Sequence, residues 1–401
     1  MASLGALASP LLQPSRAPLA ETNAVVAGLR ADRAVAQLSA MQVDAAQLAY
    51  DTERFELQLD AKRSVSVQRI NASYADDGSL LWNGGVVGKY TVGDGPITDP
   101  AELLNTVALV KSGNQITGTL RIDGQMYKLM PAAAGHVLAR IDESKMPPDH
   151  PEAEYKALLV NDIGGEMGKP APGTRPEAAT KAISTIRVMI VVTNAAAAKI
   201  GNLTNFANLA ISETNTGYTN SGVEITAQLA GVYTTSYVES GSFSTDLARI
   251  RGTTDGYMDN VHSLRNTNAA DVVVLIIDNA SSCGLASGIG STATTAFAAA
   301  HYSCATGYYS FGHEIGHLQS ARHDPANDPT TTPYAYGHGY QYPAGGWRTI
   351  MAYACSTGTC NRINYWSNPA KLRSGVPMGT TTTHHNQRVL NNTKATIAAF
   401  R

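Results

Sequence analysis

The sequence has neither a long hydrophobic run nor a marked excess of charge. Its longest strongly apolar run, Val272–Ile277, has six residues, whereas a transmembrane helix needs about 20. The formal net charge is −2 at pH 7 for 401 residues, so nothing in the composition indicates nucleic acid or an anionic membrane as a partner. A chain of this length can bury enough core for two domains without help from metals or disulfides.

One short stretch carries the residues most suited to chemistry. His313 and His317 are four residues apart, so on an α-helix they project from the same face and can share one Zn²⁺. Glu314 lies beside them, close enough to take a proton from a metal-bound water without being a ligand. His323 can join them only if the chain leaves the helix between Gln319 and His323. Three protein ligands with an open fourth position are the pattern of catalytic zinc.

An isolated HExxH pattern also arises by chance, so the surrounding sequence decides whether it indicates zinc. The third histidine follows at the spacing of the metzincin class, and residues 349–353 form a candidate Met-turn that contains Met351. The main rival class of zincins takes its third ligand from a downstream glutamate, and the chain has no glutamate after Glu314. Together these observations predict a zinc metallopeptidase.

Three segments, residues 311–324, 336–340 and 362–369, resemble the bacterial peptidyl-Asp metallopeptidase family, a reprolysin-like branch of the metzincins. The resemblance covers residues 183–401. It implies a secreted zinc metalloendopeptidase, made as a zymogen, in which a zinc-bound water activated by glutamate hydrolyses peptide bonds on the amino side of Asp. The implied zinc ligands and catalytic residues are His313, His317, His323, Glu314 and Tyr353, with Met351 as an apolar floor beneath the ligands.

One position departs from the family pattern. The metzincin consensus has glycine three residues after the second histidine, and this chain has Ser320. If the backbone there is left-handed, a serine costs on the order of 1–2 kcal/mol. The departure bears on the local turn and not on the ligands.

The predicted fold class is α/β (α+β): a metzincin zincin catalytic domain with a twisted mixed sheet and an active-site helix, preceded by a β-rich pro-domain. Alternating strand and helix patterns predict a mostly parallel sheet. Its strands are expected at 186–192, 223–233, 271–277, 284–290 and 296–302, and its helices at 195–211, 244–265, 306–319 and 385–400. Residues 284–295 are either a loop or an edge strand, and an edge strand can bind an extended peptide.

The remaining sequence predicts a pro-region at 1–160, a Pro/Gly-rich linker at 161–182 and the peptidase domain at 183–401. Apolar positions at helical spacing predict one or two helices in 22–50, and residues 55–141 have a β pattern with a turn at Asp123–Gly124. Residues 1–175 contain none of the four cysteines. Latency is therefore not expected to use a cysteine, and the simplest alternative is an oxygen or imidazole ligand from residues 142–166, with Asp149, His150 and Asp162 as candidates. A separate binding module is the alternative for the β-rich region.

The four cysteines allow three pairings. Cys355 and Cys360 enclose four residues, which suits a local loop and leaves Cys283 with Cys304. Four reduced thiols in a cytosolic protein are the alternative, although an even count in one domain of an exported protease favours disulfides. Residues 1–18 lack a basic region and Pro10 interrupts their apolar core, so an export signal is not clearly present.

The resemblance also bears on specificity and maturation. A preference for Asp requires a cation in the substrate pocket, and the segment after the Met-turn offers Arg362, Lys371 and Arg373, of which Arg362 is closest to the turn. Self-cleavage before Asp162 would release a product spanning residues 162–401. We expect protein or peptide substrates, one Zn²⁺ and a monomeric product, while calcium binding stays open. The alternatives are a broad-specificity metzincin and a zinc-binding, toxin-like protein without turnover.

Overall fold

The computed structural model describes residues 10–87, 104–132, 135–160 and 182–401. The chain divides into two compact units, Met1–Lys145 with Lys199–Leu209, and Met146–Ala198 with Ala210–Arg401. Asp162 and the predicted linker up to residue 181 lie outside the described residues. Within those described ranges, none of the helices combines the length and the apolar composition that a bilayer span requires.

The first unit contains a closed barrel to which its described residues contribute nine strands. The neighbours around the barrel follow the order β1-β2-β9-β8-β7-β6-β5-β4-β3. The strands are β1 (Leu12–Pro14), β2 (Val35–Val43), β3 (Arg54–Gln58), β4 (Ser64–Tyr74), β5 (Leu80–Val87), β6 (Thr106–Ser112), β7 (Gln115–Ile122), β8 (Gln125–Ala132) and β9 (Gly135–Ile141). All pairs are antiparallel except β1 with β3, where Leu12 lies opposite Leu57 and closes the barrel.

Local sequence explains much of this barrel. β7 and β8 are joined by Asp123 and Gly124, both at positive φ, as a tight hairpin turn requires. Inward-facing side chains from the strands form one buried cluster, in which the Trp82 and Phe55 rings lie 4.6 Å apart. The predicted turn at Asp123–Gly124 is therefore confirmed.

The helices expected in residues 22–50 are only partly correct. α1 (Ala24–Ala31) is helical and is capped by the Asn23 side chain, but Val35–Val43 is strand β2. This strand pairs with β1 on one side and with β9 on the other. Tertiary pairing on both edges decided the structure of a segment whose apolar spacing also suits a helix.

In the described part of the second unit, five strands form a sheet in the order β11-β10-β12-β14-β13. They are β10 (Ser184–Thr193), β11 (Ile225–Thr235), β12 (Val272–Ile277), β13 (Gly284–Ala286) and β14 (Phe297–His301). Three pairings are parallel, β10 with β11, β10 with β12 and β12 with β14, and β13 is antiparallel to β14 at the edge. The predicted mostly parallel sheet with an edge strand near residue 284 is confirmed.

The helices of the second part of the chain differ from their predicted spans. They are α2 (Glu152–Val160), α3 (Asn194–Ile200), α4 (Leu203–Ser221), α5 (Phe243–Arg251), α6 (Asn260–Thr267), α7 (Tyr302–Ala305), α8 (Ser310–Leu318) and α9 (Asn386–Ile397). α4 extends beyond the predicted end at residue 211. Gly201 at positive φ interrupts the helix expected at 195–211. Gly307 and Tyr309, also at positive φ, prevent α8 from starting at residue 306.

Short strands follow α8 and complete the second unit. β15 (Gln341–Tyr342), β16 (Trp347–Arg348) and β17 (Asn361–Arg362) form one small sheet, and β18 (Asn368–Arg373) pairs with β19 (Val376–Met378). β16 and β17 are parallel, and Arg348 lies opposite Arg362. These strands have too few residues for a periodic sequence pattern, but they position side chains of the candidate site.

Candidate metal centre

α8 places His313 and His317 on one face, and both side chains are buried. Their Nε2 atoms lie 3.1 Å apart. The chain then leaves the helix and returns His323, whose Nε2 atom lies 3.2 Å from that of His313 and 2.9 Å from that of His317. The structure thus brings together the three histidines that the sequence pattern singled out.

The turn that returns His323 is a Schellman motif. The Ala321 amide donates to the Gly316 carbonyl and the Ser320 amide donates to the His317 carbonyl, each at 2.9 Å. The motif needs a left-handed residue directly after the cap, and Ser320 has φ 72°. Serine in that position costs roughly 1–2 kcal/mol relative to a right-handed residue. Ser320 therefore takes a left-handed conformation that glycine adopts without strain.

Hydrogen bonds at the far side of two rings fix which nitrogen faces the centre. His313 Nδ1 donates to the Ile350 carbonyl at 2.9 Å, and His317 Nδ1 donates to the Ala321 carbonyl at 2.8 Å. With the proton on Nδ1, each Nε2 atom presents a lone pair. Lone pairs facing each other at about 3 Å repel unless a cation lies between them. A tetrahedral zinc site, with Zn–N distances of about 2.0–2.1 Å, separates its nitrogens by about 3.3 Å, so these residues fit a metal ion.

Burial also keeps these imidazoles in the form that a metal binds. Removal from water lowers the pKa of His317 to about 3 and the pKa values of His313 and His323 well below their ordinary value. Metal coordination requires a neutral imidazole. The three rings are therefore available as ligands at neutral pH without first losing a proton.

Glu314 lies within the same buried volume. Its side chain is 1% exposed, and burial raises the pKa of its carboxyl group to about 8. A Cβ atom at residue 284 would overlap Oε1 of Glu314, so the edge strand must have Gly284 where it passes the carboxylate. The same burial places the carboxyl group beside the histidine cluster, where a bound cation would favour its ionised form.

The candidate Met-turn lies under the helix. Met351 is fully buried, and its Sδ atom lies 3.2 Å from the place a Cβ would take at Gly316. The same turn supplies the Ile350 carbonyl that orients His313. Two residues further on, the Tyr353 amide donates to Asp324 at 2.9 Å, and the Tyr353 ring lies 4.2 Å from the His323 ring. Tyr353 is therefore fixed at the rim of the histidine cluster.

A fourth histidine enters the site from the segment before α2. His150 is fully buried in its side chain, and burial lowers its pKa to about 3. Its Nε2 atom lies 3.2–3.3 Å from the Glu314 carboxylate, and its Nδ1 atom lies 3.1 Å from the Tyr353 hydroxyl. One ligand atom from each of His150, His313, His317 and His323 lies within 4.8 Å of the others. Four histidines could therefore hold one ion.

Next to the histidines, two buried arginines surround a carboxylate. Arg362 Nη2 lies 2.7 Å from Oδ1 of Asp149, and Arg348 Nη1 lies 3.4 Å from its Oδ2. Burial alone would raise the pKa of Asp149, but the charges of Arg362 and Arg348 outweigh it and hold that pKa below its usual value. Tyr308 fixes both cations, since its carbonyl accepts from Arg362 at 3.1 Å and its hydroxyl accepts from Arg348 at 2.7 Å. We call Arg348, Arg362 and Tyr308 the arginine pocket.

The other predicted specificity residues lie elsewhere. Arg373 lies over the Trp347 ring at 5.7 Å, and the Lys371 side chain runs past Gly222. Arg348 is not among the residues expected from the sequence, because it precedes the Met-turn and those candidates follow it. The sequence does place one arginine on each side of the Met-turn. Only the pairing of β16 with β17 shows that the two side chains lie together.

Two disulfides brace this region. Cys283 is bonded to Cys304 and Cys355 to Cys360, which is the pairing expected from the loop lengths. The first bond ties the edge strand, directly before Gly284, to the segment that leads into α8. The Cys283–Cys304 disulfide therefore holds in place the backbone that passes Glu314.

The comparisons with known proteins agree with this geometry. A family model described as metallo-peptidase family M12, of the reprolysin type, matches residues 182–367. A peptidyl-Asp metalloendopeptidase of Stenotrophomonas maltophilia is 50% identical over 98% of this chain and 94% of its own length. One from Xanthomonas campestris pv. campestris is 48% identical over 98% of this chain and 92% of its own length.

A shorter relative carries the same name. The peptidyl-Asp metalloendopeptidase of Pseudomonas fragi is 53% identical over 47% of this chain and 100% of its own length. The long relatives and the family model together identify the whole chain. It belongs to the peptidyl-Asp metalloendopeptidase family and is a metalloendopeptidase with an M12-type peptidase domain.

Proposed function

We propose that this chain is a zinc endopeptidase that hydrolyses peptide bonds on the amino side of Asp. The observation that carries the proposal is the convergence of three neutral imidazole Nε2 atoms, 2.9–3.2 Å apart, beside a buried carboxylate. Histidine nitrogens suit Zn²⁺ better than they suit Mg²⁺ or Ca²⁺, which prefer oxygen ligands. His313, His317 and His323 would hold the ion. Bound Zn²⁺ supplies a Lewis acid that polarises the scissile carbonyl and lowers the pKa of water.

The chain's own residues supply the proton transfers. Glu314 accepts a proton from the attacking water and delivers it to the leaving amine. Its complete burial beside the three histidine side chains suits that role, because a general base must lie within hydrogen-bond reach of the proton that it accepts. The Tyr353 hydroxyl lies 3.1 Å from His150 Nδ1, and when substrate replaces that ring it can donate a hydrogen bond to the developing oxyanion.

The arginine pocket supplies the preference for Asp. Arg362 and Arg348 share Asp149 as their counter-charge, and they lose it when residues 147–150 leave the pocket. An aspartate side chain provides that charge with two oxygens, as Asp149 does. Asparagine has the same shape but no charge, so we expect the pocket to discriminate strongly between the two. Three curated relatives of this chain carry Asp in their names.

We extend the proposal to the life cycle of the enzyme. Residues 1–160 are a pro-region, 161–182 a cleavable linker with the maturation site at Asp162, and 183–401 the metzincin-type peptidase. The chain is exported, since disulfides such as Cys283–Cys304 persist in oxidising compartments. The processed form acts as a monomer on protein or peptide substrates.

A peptide map tests the proposal. The processed enzyme, loaded with one equivalent of Zn²⁺, is incubated with a denatured protein of known sequence, and the products are identified by mass spectrometry. We expect new N-termini that begin with Asp and loss of all cleavage after removal of zinc with a chelator. Cleavage without preference at P1′ would instead favour a broad-specificity metzincin, and zinc binding without cleavage would favour a binding protein.

A further inference from the structure

We propose that residues 147–150 are an internal inhibitor, in which His150 is a fourth ligand of the metal and Asp149 anchors the segment in the arginine pocket. The proposal rests on the proposed function, because it takes the arginine pocket to be the site that reads a substrate Asp. It adds a metal ligand and a bound occupant to that site.

Ring geometry supports the role of His150. Its ring centroid lies 5.0, 5.1 and 4.6 Å from those of His313, His317 and His323. The separations among those three rings are 4.8, 5.2 and 4.6 Å. The His150 ring therefore packs against all three, and one of its nitrogens lies within 4.8 Å of a nitrogen of each. Four imidazoles make a closed tetrahedral site, which leaves no position for substrate.

The backbone of the segment occupies the edge of the sheet. The Cys283 amide donates to the Pro148 carbonyl at 2.7 Å, and the Gly284 amide donates to the Asp149 carbonyl at 3.1 Å. An extended substrate would need the same edge donors. The segment therefore competes with substrate for the backbone donors, for the arginine pocket and for the metal.

The direction of the segment explains why it is not itself cut there. In a substrate cleaved before Asp, the group presented to Glu314 is the peptide bond that precedes the Asp in the pocket. Here the group presented to Glu314 is the side chain of His150, the residue that follows Asp149. The Pro148–Asp149 peptide bond instead lies beside Cys283, whose amide donates a hydrogen bond to the Pro148 carbonyl. An Asp in the pocket with the chain in this orientation inhibits and is not hydrolysed.

α2 holds the segment on the site from the other side. Tyr155 is buried, its hydroxyl donates to Asp328 at 3.0 Å, and its ring stacks on that of His323 at 4.2 Å. Leu158 packs against the core cluster around the sheet. These contacts do not depend on a covalent link through residues 161–181. Cleavage of the linker therefore leaves the inhibitor bound until the pro-region itself is degraded or displaced.

Metal coordination in the full-length chain tests the inference without requiring turnover. The background is Glu314→Gln, which prevents self-cleavage and keeps the shape of residue 314. X-ray absorption at the zinc edge counts the imidazole ligands, and a chelator competition measures the rate of zinc loss. We expect four imidazoles in the parent chain, and three with one oxygen ligand in His150→Ala. Zinc loss should be at least about tenfold faster in that variant.

Two further variants separate the anchor from the ligand. Asp149→Asn keeps all four histidines and removes the charge that the arginines hold, so it should also release zinc at least about tenfold faster than the parent. Glu152→Gln is the matched control, because this side chain is 83% exposed and pairs only at the surface with Lys156; it should behave as the parent. His150→Gln replaces His150→Ala if the smaller side chain prevents folding.

The outcomes are distinct from those that would defeat the proposed function. The inhibitor proposal is overturned if the parent chain has only three imidazole ligands. It is also overturned if zinc is lost at the same rate from the parent, the His150 variants and Asp149→Asn. If removal of His150 changes the coordination, the fourth ligand is supported. If the peptide map then shows no preference for Asp, the proposed specificity is wrong although the fourth ligand stands.

Discussion

Arg348 and Arg362 lie directly opposite each other on the parallel strands β16 and β17, and both guanidinium groups reach the same carboxylate. Neither strand is longer than two residues. The pairing nevertheless determines the chemistry of the pocket, because it places two fixed cations on one side of Asp149. Tyr308, which accepts a hydrogen bond from each, keeps them from separating.

This relationship predicts the effect of removing either cation. In the processed enzyme, Arg362→Met and Arg348→Met should each lower kcat/KM for a peptide with Asp at P1′ by roughly 30- to 1000-fold, since loss of one partner of a buried ion pair costs about 2–4 kcal/mol. The ratio of kcat/KM between Asp and Asn peptides measures the effect. Lys371→Met, which changes a cation beside Gly222, is the control and should keep the wild-type ratio. An unchanged ratio in both arginine variants would place the specificity elsewhere.

The grouping of the three histidines with Glu314 could be predicted from the sequence, because residues four apart on a helix lie on one face. His313 and His317 share a helix face. His323 can join them only if the chain turns back after the helix, and the Schellman motif at Ser320 makes that turn. Arg348 could not be predicted, since its place depends on strand pairing between short segments without periodicity.

The same limit applies to the rest of the fold. The central parallel sheet was predictable because its strands are apolar runs separated by helices. The barrel was not, because its closure depends on a contact between Leu12 and Leu57 and its strand β2 has a spacing that also suits a helix. His150 and Asp149 were both candidates for latency, and only the three-dimensional arrangement assigns them to different partners.

Removal of the third histidine should affect the metal before it affects the fold. His323→Ala leaves two imidazoles on α8, and we expect zinc affinity to fall by at least about a hundredfold, with activity lost in proportion. Metal content after dialysis against a zinc buffer measures this. His384→Ala, at a histidine outside the cluster whose ring meets the Thr380 hydroxyl at 2.9 Å, is the control. Full zinc content in His323→Ala would mean that another residue is the third ligand.

Tyr353 should contribute to turnover and not to metal binding. Tyr353→Phe removes only the hydroxyl, which lies 3.1 Å from His150 Nδ1, and leaves the ring packed beside His323. We expect wild-type zinc content and a kcat lowered by roughly 10- to 1000-fold, as for loss of one oxyanion donor. Tyr340→Phe, a tyrosine whose ring packs on Trp347, serves for comparison. Wild-type kcat in Tyr353→Phe would assign Tyr353 a packing role alone.

Ser320 offers a prediction about stability. Glycine tolerates φ 72° without strain, and the buried Ser320 hydroxyl has no hydrogen-bond partner to lose. Ser320→Gly should therefore raise the free energy of unfolding by roughly 0.5–1 kcal/mol after the entropy cost of glycine. Thermal unfolding measures the change. Ser320→Ala removes the same hydroxyl but keeps the backbone strain, so the glycine variant should be the more stable of the two; equal stability of the two variants would show that the backbone conformation is not the cause.

Glu314→Gln tests the central claim most directly, because it removes the proposed base and leaves the histidines and the packing unchanged. Zinc content and turnover are measured on the same processed preparation. We predict one zinc per chain and a kcat lowered by about 10²–10⁴-fold. One zinc per chain with a tenth or more of wild-type turnover would contradict the account, since hydrolysis would then proceed without the carboxylate that the fold buries beside the three histidines.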